Sequence, residues 1–465
     1  METKSCCKRH RKREPIVANR SATRDVLCVR GATIIDDKGE RAGDVLIEDG
    51  VIREVAPSIA PPSRCLVLDA SKCYLTPGLV DLHAHLREPG GEESETIESG
   101  ARAGALGGYT ALVAMPNTNP PVDSASTVRD VLALGASACL EVVVAGAITI
   151  GRAGEQLAPL AEMAALGVRL FTDDGRGVQD GRLMRRALEY ARDLGVTLAE
   201  HCEDEALAAG GFMHEGAWSS RLGISGQPAM AEEAMLARDL ALVFMTKSKM
   251  HFLHLSTRGS VDLLRDAKAK GLPVTAEVTP HHLFLTDAEV ASFDAIYRVS
   301  PPLRGAEDVH ACQRACEDRT FDAIATDHAP HPRQAKEEPF DTAPPGMIGL
   351  ETALAVCHGA LIANERHGDH RVTPGLSMRE FFGLFSWGPA HIAGLDERSG
   401  QGGPIVAGSP ANLCVFDPSV TWTWDPKKSA SLSANSPFIG RTLRGRVRHT
   451  IFRGEPIVID GEAMR

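Results

Sequence analysis

Two histidines stand two residues apart in Asp81-Leu82-His83-Ala84-His85. Alternate side chains of an extended strand share a face, so His83 and His85 point the same way, and imidazoles so placed can bind one divalent metal ion. Other polar groups end apolar runs in the same manner: Asp173 and Asp174 close Phe171-Thr172-Asp173-Asp174, and His201 closes Glu200-His201. His254 ends a further run, and Asp327 opens Asp327-His328-Ala329-Pro330-His331. A lone histidine at a strand end is more often a hydrogen-bonded structural residue than a ligand. The joint pattern is different, because nitrogen and carboxylate donors without a thiolate suit zinc or a similar ion. Such an ion can lower the pKa of bound water to about 7 and polarise a carbonyl.

The elements that must position these groups alternate regularly. Apolar strand segments are predicted at 78–85, 111–116, 140–150, 168–174, 196–201, 250–256, 273–279 and 321–327. Between them lie Ala/Leu/Arg-rich stretches of helical period, such as TIESGARAGALGG and MRRALEYARDLG. Strand and helix repeated eight times predict an α/β chain folded as a parallel (β/α)8 TIM barrel, whose active sites lie at the C-terminal ends of the strands. That barrel is expected over residues 76–395. Residues 25–75 and 396–465 instead carry short β-branched runs punctuated by Gly and Asp, which predicts one small composite β-sandwich domain built from both ends of the chain. Residues 1–24 are basic and polar with no apolar stretch, and read as a disordered tail rather than a secretory signal. The charged stretch 332–346 is either a lid over the substrate or an ordinary solvated loop.

Composition narrows the function classes. Lys and Arg total 50 against 61 Asp and Glu, a net charge of −11, which argues against bulk attraction to nucleic acid or an anionic membrane. No run of about 18 apolar residues predicts a membrane span. The 11 cysteines follow no framework spacing and read as reduced thiols of a cytoplasmic protein, Cys312 and Cys316 included.

Seven segments carry a resemblance: GLVDLHAHLREPG (78–90), MPNTNPPVDS (115–124), FTDDG (171–175), EHCED (200–204), HLST (254–257), EVTPHHL (277–283) and ATDHAPHPRQAK (325–336). They closely resemble the bacterial (type I) dihydroorotases of the amidohydrolase superfamily, and the likeness runs from about residue 26 to the C terminus. The resemblance implies zinc-dependent, reversible cyclisation of N-carbamoyl-L-aspartate to L-dihydroorotate, a step of pyrimidine biosynthesis. It implies that His83, His85 and Asp327 bind one zinc, that His201 and His254 bind a second, and that a residue of strand four bridges them. In many relatives the bridge is a carboxylated lysine, but residues 168–175 hold no Lys and offer only Asp173 and Asp174. Leu170, Thr172 and Asp174 share a face, which selects Asp174. One or two zinc ions per subunit are compatible with an aspartate bridge.

The same carry-over implies a substrate grip from His85, Arg87, Asn117, Ser300 and His331, with Pro345 and Gly346 approaching through their backbone. Arg87 offers a planar fork suited to a carboxylate. Ser300 stands where relatives carry Asn before the PPLR motif, and presents a shorter side chain with no amide. His281 and His282 are read as structural or as supports behind the ligand residues, because the site is full without them. Asp327 is the expected catalytic proton carrier, taking a proton from water and returning it to the leaving ring nitrogen. The implied partners are a small-molecule substrate, a second copy of the chain in a homo-oligomer, and aspartate carbamoyltransferase as a compatible complex. Two alternatives stand beside this reading. One is a related cyclic amidohydrolase acting on hydantoins, dihydropyrimidines or allantoin, substrates without the carboxylate that Arg87 and Asn117 would grip. The other is a non-catalytic dihydroorotase-like scaffold of aspartate carbamoyltransferase, which would be expected to have lost ligands that this chain keeps.

Overall fold

The computed structural model describes residues 26–363 and 375–464; the basic tail expected at 1–24 lies outside them. Eight parallel strands succeed one another in the middle of the chain: β1 (Leu79–Ala84), β2 (Tyr109–Ala114), β3 (Glu141–Val144), β4 (Leu170–Phe171), β5 (Thr197–Glu200), β6 (Met250–Phe252), β7 (Val274–Val278) and β8 (Ala323–Ile324). β1 to β3 pair in order, as do β4 to β8. Two isolated parallel bridges, Gly146 to Phe171 and Ala84 to His328, join these runs into a closed barrel. β4 and β8 are shorter than the expected segments because the chain leaves the ladder early there. The residues that follow, up to Asp174 and Asp327, turn onto the rim.

Alternation sorts the side chains into two layers. Val80, Leu82, Ala111, Val113, Leu170, Ala199, Leu253 and Ala325 pack together inside the barrel. Leu112, Phe171, Leu198, Phe252 and Val278 pack outward among helix residues such as Ala101, Val128, Met184, Leu236 and Leu264. Each large side chain so buried contributes about 1.5–3 kcal/mol. Four of the helices start where a side chain takes their first free amides. Thr96 caps Ile97–Leu106, Ser124 caps Ala125–Gly135, Asp180 caps Gly181–Leu194 and Thr257 caps Arg258–Ala269.

Both ends of the chain build one β unit. Val26–Asp36, Gly39–Glu48 and Val51–Ala56 form an antiparallel meander. Leu413–Thr423, Thr442–Phe452 and Glu455–Ile459 form another. Tyr74–Pro77 joins them, parallel to the first strand of the N-terminal meander and antiparallel to Leu413–Phe416. Val29, Ile34, Val45 and Leu75 share a core with Leu413, Val415 and Ile451, so each terminal half covers apolar surface of the other. The expected barrel with a composite β-sandwich domain is therefore the fold observed.

Candidate metal centre

Four imidazoles and two carboxylates meet at the C-terminal end of the barrel, all of them buried. Asp174 sits among them. Its Oδ1 lies 3.3 Å from His83 Nε2 and 3.6 Å from both His201 Nδ1 and His254 Nε2, while its Oδ2 lies 3.4 Å from His85 Nε2. Asp327 Oδ1 lies 3.1 Å from His85 Nε2 and 3.5 Å from His83 Nε2. His201 Nδ1 and His254 Nε2 face each other at 2.9 Å. Two groups have ligand atoms close enough to share an ion, His83 with His85 and Asp327, and His83 with Asp174 and His254. Donor atoms bonded at about 2.0–2.1 Å to a tetrahedral ion stand about 3.3 Å apart, and most of these separations fall near that value. His83 Nε2 and Asp174 Oδ1 are both buried without a hydrogen-bond partner, an expensive state that a cation between the donors relieves. The donor set thus fits a divalent metal.

Neighbouring groups fix which ring nitrogens face inward. His83 Nδ1 donates to Glu277 Oε1 at 2.9 Å, and His85 Nδ1 donates to Asn117 Oδ1 at 2.9 Å, so both rings turn Nε2 toward the cluster. Asp173 points elsewhere: it accepts from the Ile148 and Thr149 amides at 2.8 and 3.0 Å and from the Thr149 hydroxyl, tying β4 to the turn after β3. The backbone carries strain at the site. Arg87, His254 and Asp327 have φ of 61°, 31° and 45°, a region that costs non-glycine residues of order 1–3 kcal/mol each. Burial alone would push the Asp174 and Asp327 carboxyls up, yet the surrounding imidazoles hold both well below the usual carboxylate range. Both carboxylates are therefore ionised, as metal ligands must be.

The expected substrate residues ring the cluster. Arg87 donates through Nε to the Pro330 carbonyl at 3.2 Å. His331 donates through Nε2 to the Pro345 carbonyl at 2.8 Å, and burial with the nearby Arg87 charge pushes its pKa down to about 3, so it is neutral. Asn117 has its side-chain oxygen committed to His85. Ser300 donates to Glu203 Oε2 at 3.0 Å, an oxygen that also accepts from Gln227 at 2.9 Å. The stretch 332–346 is tied down: Lys336 donates to the carbonyls of Ala295, Arg298 and Pro344, and Phe340 is buried. His282 is bound to Thr279 and to the Pro301 carbonyl, whereas His281 Nε2 is buried without a partner.

Three residues of this arrangement were not anticipated from the sequence. Glu277 lies inside EVTPHHL, and an acidic residue at an inward position of an apolar strand is itself a signal. His251 donates to its second oxygen at 3.1 Å. Glu203 lies inside EHCED, and its contact with Ser300 depends on two loops far apart in the chain.

A family model described as Dihydro-orotase-like matches residues 73–260. The dihydroorotase of Anaeromyxobacter dehalogenans (strain 2CP-C) is 46% identical over 446 residues, 95% of this chain and 100% of that one. The dihydroorotase of Mycobacterium bovis is 46% identical over 429 residues, 91% of this chain and 96% of the relative. Among solved structures, the L-hydantoinase (dihydropyrimidinase) of Arthrobacter aurescens superposes with a TM-score of 0.82 at 22% identity, covering 94% of this chain and 97% of that one. That likeness concerns the fold.

Proposed function

The chain belongs to the dihydroorotase family, and we propose that its buried histidine–aspartate cluster holds zinc, one or two ions per subunit, for the reversible cyclisation of N-carbamoyl-L-aspartate to L-dihydroorotate. The observation that carries this reading is the pair of buried, unpartnered donors, His83 Nε2 and Asp174 Oδ1, set among ionised carboxylates and inward-turned imidazoles. When bound, the ion supplies Lewis acidity toward a carbonyl oxygen and toward water. His83, His85 and Asp327 are one ligand group; His201 and His254 are the other; Asp174 lies between them.

The remaining steps fall to the chain's own residues. Asp327 is the proton carrier. In hydrolysis it receives the proton of the attacking water and passes it to the departing ring nitrogen; in cyclisation it takes the proton from the attacking nitrogen. Its ionised state and its contact with His85 support that role. Arg87 receives the substrate carboxylate. Asn117 orients His85 and keeps its amide nitrogen for the substrate, and Ser300, His331 and the Pro345–Gly346 backbone line the other side. Glu203 holds Ser300, so the serine hydroxyl oxygen is left as an acceptor for a ring N–H. The complete ligand set speaks against a non-catalytic scaffold, and the guanidinium beside the cluster speaks against substrates without a carboxylate.

The domain limits 25–75 with 396–465 for the β unit and 76–395 for the barrel are supported by the strand pairing across the two ends. No helix among the described residues is long and apolar enough to cross a membrane, and a cytoplasmic location is supported by buried thiols such as Cys28, Cys312 and Cys414, which are not in disulfides. Assembly into a homo-oligomer and a complex with aspartate carbamoyltransferase are further proposals, checked by sedimentation of the chain alone and mixed with that enzyme. The reading is tested by elemental analysis of the purified protein alongside turnover of dihydroorotate, dihydrouracil and allantoin. Stoichiometric zinc with turnover confined to dihydroorotate supports it; a metal-free active enzyme refutes it.

A further inference from the structure

One asparagine of the β unit reaches across to the rim of the barrel. Asn435 is buried, and its Oδ1 accepts from the His331 amide at 3.2 Å. Its Nδ2 donates to the carbonyls of Ala329 and Gly346 at 3.0 and 3.1 Å. Its own carbonyl accepts from the Ile348 amide at 3.2 Å. Asn435 therefore stitches both limbs of the loop that follows β8, its carboxamide at Ala329, His331 and Gly346 and its backbone carbonyl at Ile348. The residues just before it bind the loop that follows β1: Ser431 and the Leu432 amide bond to Glu95, and Ser433 donates to the Ser94 carbonyl at 2.7 Å. Glu95 in turn accepts from His328 at 3.2 Å.

The fit is demanding. Gly346 has φ +141°, and a Cβ there would stand 2.8 Å from both Ala329 Cβ and His331 Nε2, so nothing larger than glycine fits between the two limbs. The bonding pattern needs two donors and one acceptor on a short planar group, which asparagine supplies. Aspartate would set a carboxylate oxygen against two carbonyls, and alanine would leave all three partners unpaired.

We propose that Asn435 is a positioning residue for substrate binding. It holds His331 and the Pro345–Gly346 backbone at a fixed separation and does not itself touch substrate. This rests on the assignment of His331 and Gly346 as substrate contacts. Asn435 makes no contact with the metal cluster, so the metal and the chemical step are left largely to themselves.

The experiment compares the full-length enzyme with Asn435→Asp, Asn435→Ala, His331→Ala and the double variant Asn435→Asp/His331→Ala. KM and kcat for dihydroorotate, zinc content and folding are measured for each. The expected result for both Asn435 variants is a rise of about tenfold in KM, a smaller change in kcat, unchanged zinc content and a folded protein. In the double variant, Asn435→Asp adds much less to KM than it does alone. A normal KM in the Asn435 variants beside an impaired His331→Ala overturns the inference and leaves the substrate assignment standing. So does full additivity in the double variant, and so does unfolding of both Asn435 variants, since the role is then only structural. A normal KM in His331→Ala itself refutes the assignment, and the inference falls at its premise.

Discussion

His83 is oriented from behind by Glu277: its Nδ1–H donates to one carboxylate oxygen at 2.9 Å, while His251 donates to the other at 3.1 Å. The carboxylate has no freedom left, and neither does the ring it holds. Glu277→Gln keeps the shape but removes the charge, and can accept from only one of the two histidines. Metal affinity is expected to fall about 10–100-fold, read by competition with a chromophoric chelator. An unchanged affinity in the folded variant contradicts an orienting role.

Asp327, the proposed proton carrier, touches His85 at 3.1 Å. Asp327→Asn should lower kcat by at least about a hundredfold, the scale of lost acid–base catalysis. Metal content measured on the same preparation separates loss of a ligand from loss of a proton carrier. Substantial turnover by the variant contradicts the assignment.

Arg87 presents a planar fork beside the cluster, with its Nε anchored on the Pro330 carbonyl. Lysine keeps the charge but loses the fork. Arg87→Lys is expected to raise KM for dihydroorotate about tenfold to a hundredfold, as lost charge-assisted hydrogen bonds do, with a smaller effect on kcat. Steady-state kinetics with an unaltered KM would place the substrate carboxylate elsewhere.

The join between the two terminal halves should be acid-sensitive at Asp36. This buried carboxylate accepts from Arg41, from the Ile405 amide and from the Lys38 amide, each at 2.9 Å. Burial pushes its pKa up, but the Arg41 guanidinium and the two amides outweigh that and hold it below the ordinary value. The folded state thus binds its proton less readily than the unfolded chain does. The stability it contributes is present above the unfolded value of about 3.9 and is lost as pH falls through the folded value. Asp36→Asn should therefore cost roughly 1.5–3 kcal/mol at pH 7 and clearly less near pH 3. Urea unfolding at both pH values measures the two gaps; equal gaps contradict the prediction.

Much of the cluster was legible because its residues lie on strands or just past their C-terminal ends, where the alternation of the strand still sets direction. The His83-x-His85 spacing and the choice of Asp174 over Asp173 are of this kind. Asp174 Oδ1 lies 3.3–3.6 Å from three of the imidazoles, while Asp173 turns away to the Ile148 and Thr149 amides. Contacts made by closure of the barrel or by the return of the chain leave no local trace. Ser300 looked free to meet the substrate ring, yet its hydroxyl proton goes to Glu203, almost a hundred residues earlier. Asn435 lies in an irregular stretch whose partners are fixed only when the C-terminal strands pair with Tyr74–Pro77. Likewise the stretch 332–346 read as a lid or a solvated loop, but Lys336 and Phe340, single residues without periodicity, anchor it.

The cluster of His83, His85, Asp174, His201, His254 and Asp327 is proposed to hold the ion on which dihydroorotate turnover depends. The most direct measurement follows dihydroorotate spectrophotometrically with the purified enzyme, before chelation, after metal removal, and after zinc is restored. Turnover that vanishes with the metal and returns with zinc, on a chain that stays folded throughout, is the predicted result. Turnover that persists in fully metal-depleted enzyme contradicts the account.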